Sequence, residues 1–417
     1  MKTIQPGMLV GKVNVPASKS YMQRVLLAAA LANGASIITN PGKSDDDEAM
    51  LDFIQLLGAK VTDNETSYSV VGAEHCPEQM HVNMHESGLG IRLVTCILAA
   101  LGGKHEITGK GSLHSRPMSE FEKLFNHKGI QIQTASGVVP IQIEGKIEAD
   151  DYFLDGSLSS QFVSGMLMAL PLLAGKSTLH VKELKSVPYV KMTLEILEEF
   201  GIFVTNHDYL TFEIDGNQNY QATEIIVEGD WSSAATWFVA SALGHDIQIN
   251  GLNERSSQAD KRILTALENA GCEIWLKNGI YTCSEAKNAF SFDATDSPDL
   301  IPVLVSLAAF MEGKTTIVGA ERLIHKESNR AIALQEEFGK LGLKIELEGD
   351  LMHIYGTGKL NGGKVTSHND HRIAMALAIA ALSAEDELEI AQSESVKKSY
   401  PYFWIDIEQL NDDTANG

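Results

Sequence analysis

Several stretches of this chain are apolar with no polar face, and a small polar signature opens each of them. The openings recur at intervals of about 70 residues: Ser18-Lys19-Ser20, Ser87-Gly88-Leu89, Ser159-Ser160-Gln161, Ser232-Ser233-Ala234, Ser297-Pro298-Asp299 and Asn369-Asp370-His371. Each sets Ser or Asn, favoured N-cap types, just before a run such as 25–31, 162–173 or 373–382, which predicts a helix N-terminus there. A helix apolar on all faces must be buried all round. What remains for a ligand is its N-terminal end, where unpaired backbone N–H groups and the positive end of the dipole favour anions. Six such ends predict an anionic ligand.

The rest of each repeat is equally regular. Short β-branched strands, such as 36–39, 315–318 and 388–390, follow the buried helix, and five of the six repeats then carry an amphipathic helix. In 44–57, Ser44 is the cap, Asp45, Asp46 and Asp47 complement the dipole, and Met50, Phe53, Ile54 and Leu57 share one face. Gly58 stops it. Segments 117–125, 187–200, 257–270 and 328–341 repeat the plan, closed by Gly129, Gly201, Gly271 and Gly342 and followed by a strand. The predicted unit is strand, buried helix, strand, amphipathic helix, strand, strand. At 417 residues, six units divide naturally into two α/β domains of three.

Composition narrows the partners. A mean hydropathy of -0.05 and apolar runs shorter than the roughly 18 residues of a membrane span argue against a membrane protein. No basic-then-apolar leader opens the chain, and Cys76, Cys96, Cys272 and Cys283 show no pairing or C-x-x-C spacing, which points to the cytoplasm. With 33 Lys+Arg against 55 Asp+Glu, the net charge of -22 argues against nucleic acid and anionic membranes. An anion site must therefore be a local reversal of the overall field. Lys19, Arg24, Arg92 and Arg372 lie in the first turns of predicted helices, where a cation is disfavoured unless an anion is also present. Arg116, Lys326, Arg330 and Lys398 lie near other openings. Gly109-Lys110-Gly111 lacks the Ser or Thr and the spacing of a P-loop, and His81/His85 and His368/His371 lack the third ligand of a metal site.

Taken in order, Pro16-Ala17-Ser18-Lys19-Ser20 with Arg24, Arg116-Pro117, Ser159-Ser160-Gln161, Ser186-Val187-Pro188-Tyr189, Glu228-Gly229-Asp230, Pro298-Asp299, Lys326-Glu327-Ser328 with Arg330, Asn369-Asp370-His371-Arg372 and Lys398 resemble the EPSP synthases. These enolpyruvyl transferases move the enolpyruvyl group of phosphoenolpyruvate to the 5-hydroxyl of shikimate 3-phosphate, releasing phosphate, on the way to chorismate and aromatic amino acids. The resemblance implies a two-domain inside-out α/β barrel of six βαβαββ repeats, three per domain. Residues 1–15 with 229–417 would form one domain and 16–228 the other, with the active site in the cleft between them. It also implies a monomer that needs neither metal nor organic cofactor.

The family's site residues fall on matching positions. Lys19, Ser20, Arg24, Ser159, Ser160, Gln161, Ser186, Asp299 and Lys326 are expected to hold shikimate 3-phosphate. Lys19, Gly88, Arg116, Gln161, Arg330, Arg372 and Lys398 are expected to hold phosphoenolpyruvate, where arginine forks suit carboxylate and phosphate oxygens. Addition of the hydroxyl to the enol carbon needs a base at the hydroxyl and an acid at the methylene. Asp299 is expected to take the hydroxyl proton and Glu327 to serve the methylene, with Lys19 aiding departure of phosphate. The chain departs from the family at Glu86-Ser87-Gly88-Leu89, where Asn-Ala-Gly-Thr or Asn-Ser-Gly-Thr is usual, and at Arg322, where many members carry Asn. Two alternatives are weaker. A UDP-N-acetylglucosamine enolpyruvyl transferase would carry Lys-Asn in place of Lys19-Ser20 and a loop cysteine, which is absent between Gly109 and Arg116. A non-catalytic anion-binding repeat protein would give no reason for Asp299 and Glu327 beside the cations.

Overall fold

In the computed structural model, which describes residues 1–126 and 129–415, every one of the six openings starts a buried helix. These are Lys19–Leu31, Gly88–Leu101, Ser160–Ala169, Trp231–Ala242, Ile301–Phe310 and His371–Leu382, each lined with buried residues on all sides. Three starts differ in detail from the sequence expectation. The fourth helix begins at Trp231, capped by Asp230, whose carboxylate accepts from the Ser233 N–H at 2.8 Å; Ser232 instead hydrogen-bonds Asp260. Asp370 rather than Asn369 caps the sixth, accepting from the Arg372 N–H at 2.9 Å. An ionised acceptor satisfies an orphan N–H and complements the dipole, so the acid wins the position in both. The fifth is entered through a 3-10 turn, Pro298–Leu300. The apolar run 162–173 does not stay helical: Pro171 lacks an N–H, and the α-helix gives way to the 3-10 turn Leu170–Leu172.

Among the described residues the strands form six sheets, five of four strands in one pattern and a sixth of three, Lys2–Ile4, Leu388–Ala391 and Gly363–Thr366, with the parallel pair but a single antiparallel neighbour. In Gln79–Asn83, Gly103–Thr108, Val138–Gly145 and Ile130–Ala135, the first two strands are parallel and the remaining pairs antiparallel. The buried helix Gly88–Leu101 connects the parallel pair. Alternating burial along Gln79–Asn83 puts Met80 and Val82 on the covered face. Of the amphipathic helices, Asp45–Leu57 has the full capping box between Ser44 and Asp47 and ends on Gly58 at φ 111°, a left-handed conformation that glycine adopts without strain. Val187–Glu199 and Arg330–Lys340 also follow the predicted pattern, whereas 117–125 is helical only over Glu120–Phe125. Segment 257–270 becomes a 3-10 turn, Ala259–Arg262, followed by Ile263–Asn269. Its first residues are engaged elsewhere: Gln258 accepts from the Trp231 N–H at 3.0 Å and donates to the Gly229 carbonyl at 2.8 Å. A further helix, Phe403–Ala415, follows the sixth repeat and had no counterpart in the sequence reading.

The chain divides into two compact units, Met1–Pro16 with Gly229–Gly417, and Ala17–Glu228. Each has its own apolar core. The chain changes unit at the start of a buried helix both times, so two strands are separated from the helix that follows them. Val10–Asn14 pairs in parallel with Asp246–Asn250 in the first unit, and Glu224–Ile226 with Ala35–Thr39 in the second. No helix among the described residues is long and apolar enough to cross a membrane.

Candidate active site

In the unit Ala17–Glu228, side chains near the N-termini of the three buried helices are tied to one another. Gln23 accepts from the Ser87 hydroxyl at 3.0 Å, joining the first helix to the second. Arg92 joins the second to the third, donating to the Gly88 carbonyl at 3.0 Å, the Gln161 side chain at 2.7 Å and the Pro117 carbonyl at 3.2 Å. Its guanidinium also lies over the Phe162 ring at 5.0 Å. Arg24 is buried and donates to the Ser20 carbonyl at 2.7 Å, Thr193 at 2.8 Å and Ser164 at 3.1 Å; burial lowers its pKa to about 10. Lys19 pairs with Asp46 at 2.9 Å, the lysine side chain 14% and the aspartate 4% exposed. Ser18, the cap of the first helix, keeps a buried hydroxyl that meets no partner among the described residues.

Gly88 has a specific steric task. A Cβ there would stand 2.0 Å from an Arg116 guanidinium nitrogen, so glycine lets Arg116 lie against the opening turn of the helix. Ser160 and Ser186 are buried, and Ser186 enters Val187–Glu199 at φ 54°, an uncommon conformation for serine. Ser159 accepts from the Gln161 N–H at 3.2 Å. Of the two departures in this unit, Leu89 is a core residue and Glu86 turns to the 109–111 loop, since a Cβ on Gly111 would meet its carboxylate at 2.3 Å.

In the other unit, acids and cations alternate around one buried guanidinium. Arg330 donates to Asp299 at 2.7 Å, to Glu327 at 2.6 Å and to both oxygens of Asp370 at 2.7 and 3.1 Å. Lys326 bonds Asp299 at 2.9 Å, and Lys398 lies 4.0 Å from Glu327. Burial opposes ionisation of Asp299, but Lys326, Arg330 and Arg372 outweigh it and hold its pKa well below the usual carboxylate range. Burial lowers the pKa of Lys326 against the pull of Asp299. Asp260, buried and bonded by Ser232, is raised to about 6, first by burial and then by Asp299. Arg322 shares this field, with Asp296, Asp299 and Asp350 opposing the downward push of burial on its pKa.

The sequence-derived positions thus form two groups. Lys19, Ser20, Arg24, Gly88, Arg116, Ser159, Ser160, Gln161 and Ser186 belong to one unit, and Asp299, Lys326, Glu327, Arg330, Arg372 and Lys398 to the other. Sequence reasoning did not assign site roles to Asp46, Arg92, Ser164, Thr193, Asp260 or Asp370. One available signal was polar residues within wholly apolar helices: buried Ser164 needs a partner, and Arg24 and Thr193 supply it. The contacts of Asp46 and Asp260 span elements and left no local signature.

Anion-favouring helix ends, buried cations and a pair of carboxylates mark an α/β enzyme that acts on anionic substrates. Comparison with known proteins narrows the class. Residues 4–407 match the family model for EPSP synthase (3-phosphoshikimate 1-carboxyvinyltransferase). The chain is 39% identical over 411 residues to a 3-phosphoshikimate 1-carboxyvinyltransferase of Clostridium kluyveri, covering 98% of this chain and 96% of that one. It is 40% identical over 417 residues to that of Clostridium acetobutylicum, covering 98% and 97%. A solved EPSP synthase from Acinetobacter baumannii superposes with a TM-score of 0.80 at 26% identity, covering 98% of both chains. The enolpyruvyl transferase NikO from Streptomyces tendae, at 18% identity and a TM-score of 0.77, shares the fold over 98% of this chain and 96% of its own. The chain belongs to the EPSP synthase family. Its fold is the two-domain inside-out α/β fold of that family.

Proposed function

We propose that the chain transfers the enolpyruvyl group of phosphoenolpyruvate to the 5-hydroxyl of shikimate 3-phosphate by addition and elimination, with both units contributing substrate contacts. The observation that carries the chemistry is the pair of carboxylates, Asp299 and Glu327, bonded to one buried guanidinium at 2.7 and 2.6 Å. Family membership supplies the substrates. Lys19, Ser20, Arg24, Ser159, Ser160, Gln161, Ser186, Asp299 and Lys326 hold shikimate 3-phosphate in this reading. Lys19, Gly88, Arg116, Gln161, Arg330, Arg372 and Lys398 hold phosphoenolpyruvate. The enzyme works as a monomer in the cytoplasm, a setting that suits four free thiols.

The electrostatics suggests how the base is switched on. Pinned between Lys326 and Arg330, Asp299 is a weak base. Substrate phosphate and carboxylate groups compete for those same cations, and as the cations turn to them the Asp299 pKa rises while the 5-hydroxyl arrives. The hydroxyl oxygen bonds to the enol carbon, Asp299 takes its proton, and Glu327 in its protonated, carboxylic acid form delivers one to the methylene, giving a methyl group on a tetrahedral carbon. Elimination then breaks the carbon–oxygen bond to phosphate while Glu327, left as a carboxylate by the addition, takes a proton from the methyl group, and Lys19 offsets charge on the departing phosphate.

Phosphate release from purified enzyme with phosphoenolpyruvate and shikimate 3-phosphate tests the reading, with UDP-N-acetylglucosamine as the competing acceptor. One phosphate per shikimate 3-phosphate consumed, and none with the nucleotide sugar, is the expected result. The reverse preference would overturn it.

A further inference from the structure

Beneath the cations assigned to phosphoenolpyruvate lies a polar cluster that does not overlap the assigned site residues. Glu337 sits on Arg330–Lys340, two helical turns beyond Arg330, and is 1% exposed. Its Oε1 accepts from Lys340 at 2.8 Å and meets His368 Nε2 at 2.7 Å. Its Oε2 accepts from Lys340 at 2.7 Å and from the Thr366 N–H at 2.9 Å. Burial pushes the Glu337 pKa up, but these donors, with the charge of Lys340, hold it below its ordinary value. The Gln392 side-chain oxygen accepts from Thr366 Oγ1 at 3.0 Å and from the Asn369 N–H at 2.9 Å, and its backbone carbonyl accepts from Ser367 at 2.9 Å.

Backbone strain concentrates at the same place. His368, Asn369 and Gln392 have φ of 52°, 54° and 56°, conformations that persist only where the surroundings over-determine them. Each of the three segments leads into a cation. Glu337 shares its helix with Arg330, the segment Thr366 to Asn369 leads into Asp370 and Arg372, and Gln392 caps Ser393–Lys398, whose last residue is Lys398. Asp370 closes the circuit by bonding Arg330.

We propose that Glu337, with His368 and Gln392, is a positioning hub that sets the register of Arg330, Arg372 and Lys398 for phosphoenolpyruvate. The inference rests on the functional reading above, which assigns those cations to that substrate. Glu336, Glu337 and His368 lie close enough to one another for a metal, but both Glu337 oxygens already accept protein donors, one of them a lysine ammonium. A carboxylate can only accept here, so His368 carries its proton on Nε2. Because three cations share one support, a shift of about 1 Å in it misplaces all of them, an error that can cost about 100-fold in rate.

Steady-state kinetics on Glu337→Gln, His368→Ala and Gln392→Ala tests the hub, the last two altering partly exposed residues should Glu337→Gln fail to fold. We expect kcat/KM for phosphoenolpyruvate to fall about 10- to 100-fold in Glu337→Gln and less in the other two. The KM for shikimate 3-phosphate should stay within about twofold, because all of its proposed contacts except Asp299 and Lys326 lie in the other unit, away from the hub. Glu337→Gln combined with His368→Ala should be little worse than Glu337→Gln alone, since both act through one support. Equal losses for both substrates, independent additive losses, or an unchanged kcat/KM for phosphoenolpyruvate in every folded variant would overturn the hub. Failure of the wild-type enzyme to turn over the substrate pair would instead sink the functional reading, and the hub with it.

Discussion

At the scale of single residues, the protein answers its cations with its own acids. Arg330 is surrounded by Asp299, Glu327 and Asp370, and Lys19 by Asp46, so buried charge is paired before substrate arrives. Asp299→Asn keeps the shape and removes the proton acceptor. It should lower kcat about 10²- to 10⁴-fold with a much smaller change in the KM for phosphoenolpyruvate, and an effect confined to KM would refute the proton-transfer role. Lys19→Met should abolish turnover and also strand Asp46, a loss of up to about 3 kcal/mol for an uncompensated buried carboxylate. Adding Asp46→Asn should restore the melting temperature without restoring turnover. His245 gives a pH signature away from the site. It accepts from the Leu9 N–H at 3.1 Å, and burial lowers its pKa to about 4, so it takes up a proton only on unfolding. Its stability contribution is complete above about pH 6.5 and is lost as pH falls toward about 4, roughly 3 kcal/mol in all. Urea unfolding at several pH values should show a flatter slope in that window for His245→Gln.

At the scale of elements, residues whose partners are near in sequence were legible and those with distant partners were not. The Ser44 cap, its Asp47 box and the Gly58 stop could be read directly because each acts within one helix. The broken helix at 257–270 could not, because Gln258 and Asp260 are bound to the start of another helix. Family resemblance located Arg24 and Gln161, but the cross-helix bonds that fix them, through Ser164, Thr193 and Arg92, come from side chains distant in sequence. Gly88 illustrates the same limit, since a glycine in a helix start reads as a cap or a flexible point and not as a seat for Arg116. Gly88→Ala should displace that flexible side chain with little effect on folding. The phosphoenolpyruvate KM should rise about 10- to 100-fold, the range expected from losing hydrogen bonds to a charged group worth about 1.5–3 kcal/mol. An unchanged KM with a lowered melting temperature would show that the glycine serves packing alone.

At the scale of the whole molecule, the repeat was visible because buried helices leave long apolar runs that nothing on the surface can imitate. Which strand joins which sheet was not visible. Val10–Asn14 and Glu224–Ile226 each pair with a strand far away in sequence, and alternation within a strand carries no record of its neighbour. The net charge of -22 is likewise uninformative about the site, where cations held by local carboxylates await anions. The central claim is that these groups carry a proton to the phosphoenolpyruvate methylene and take one back. Running the wild-type reaction in D2O and measuring the mass of the product tests it most directly. The account predicts deuterium in the vinyl methylene of the enolpyruvyl product, because addition makes a methyl group with one solvent-derived hydrogen. Turnover to an unlabelled product would contradict it.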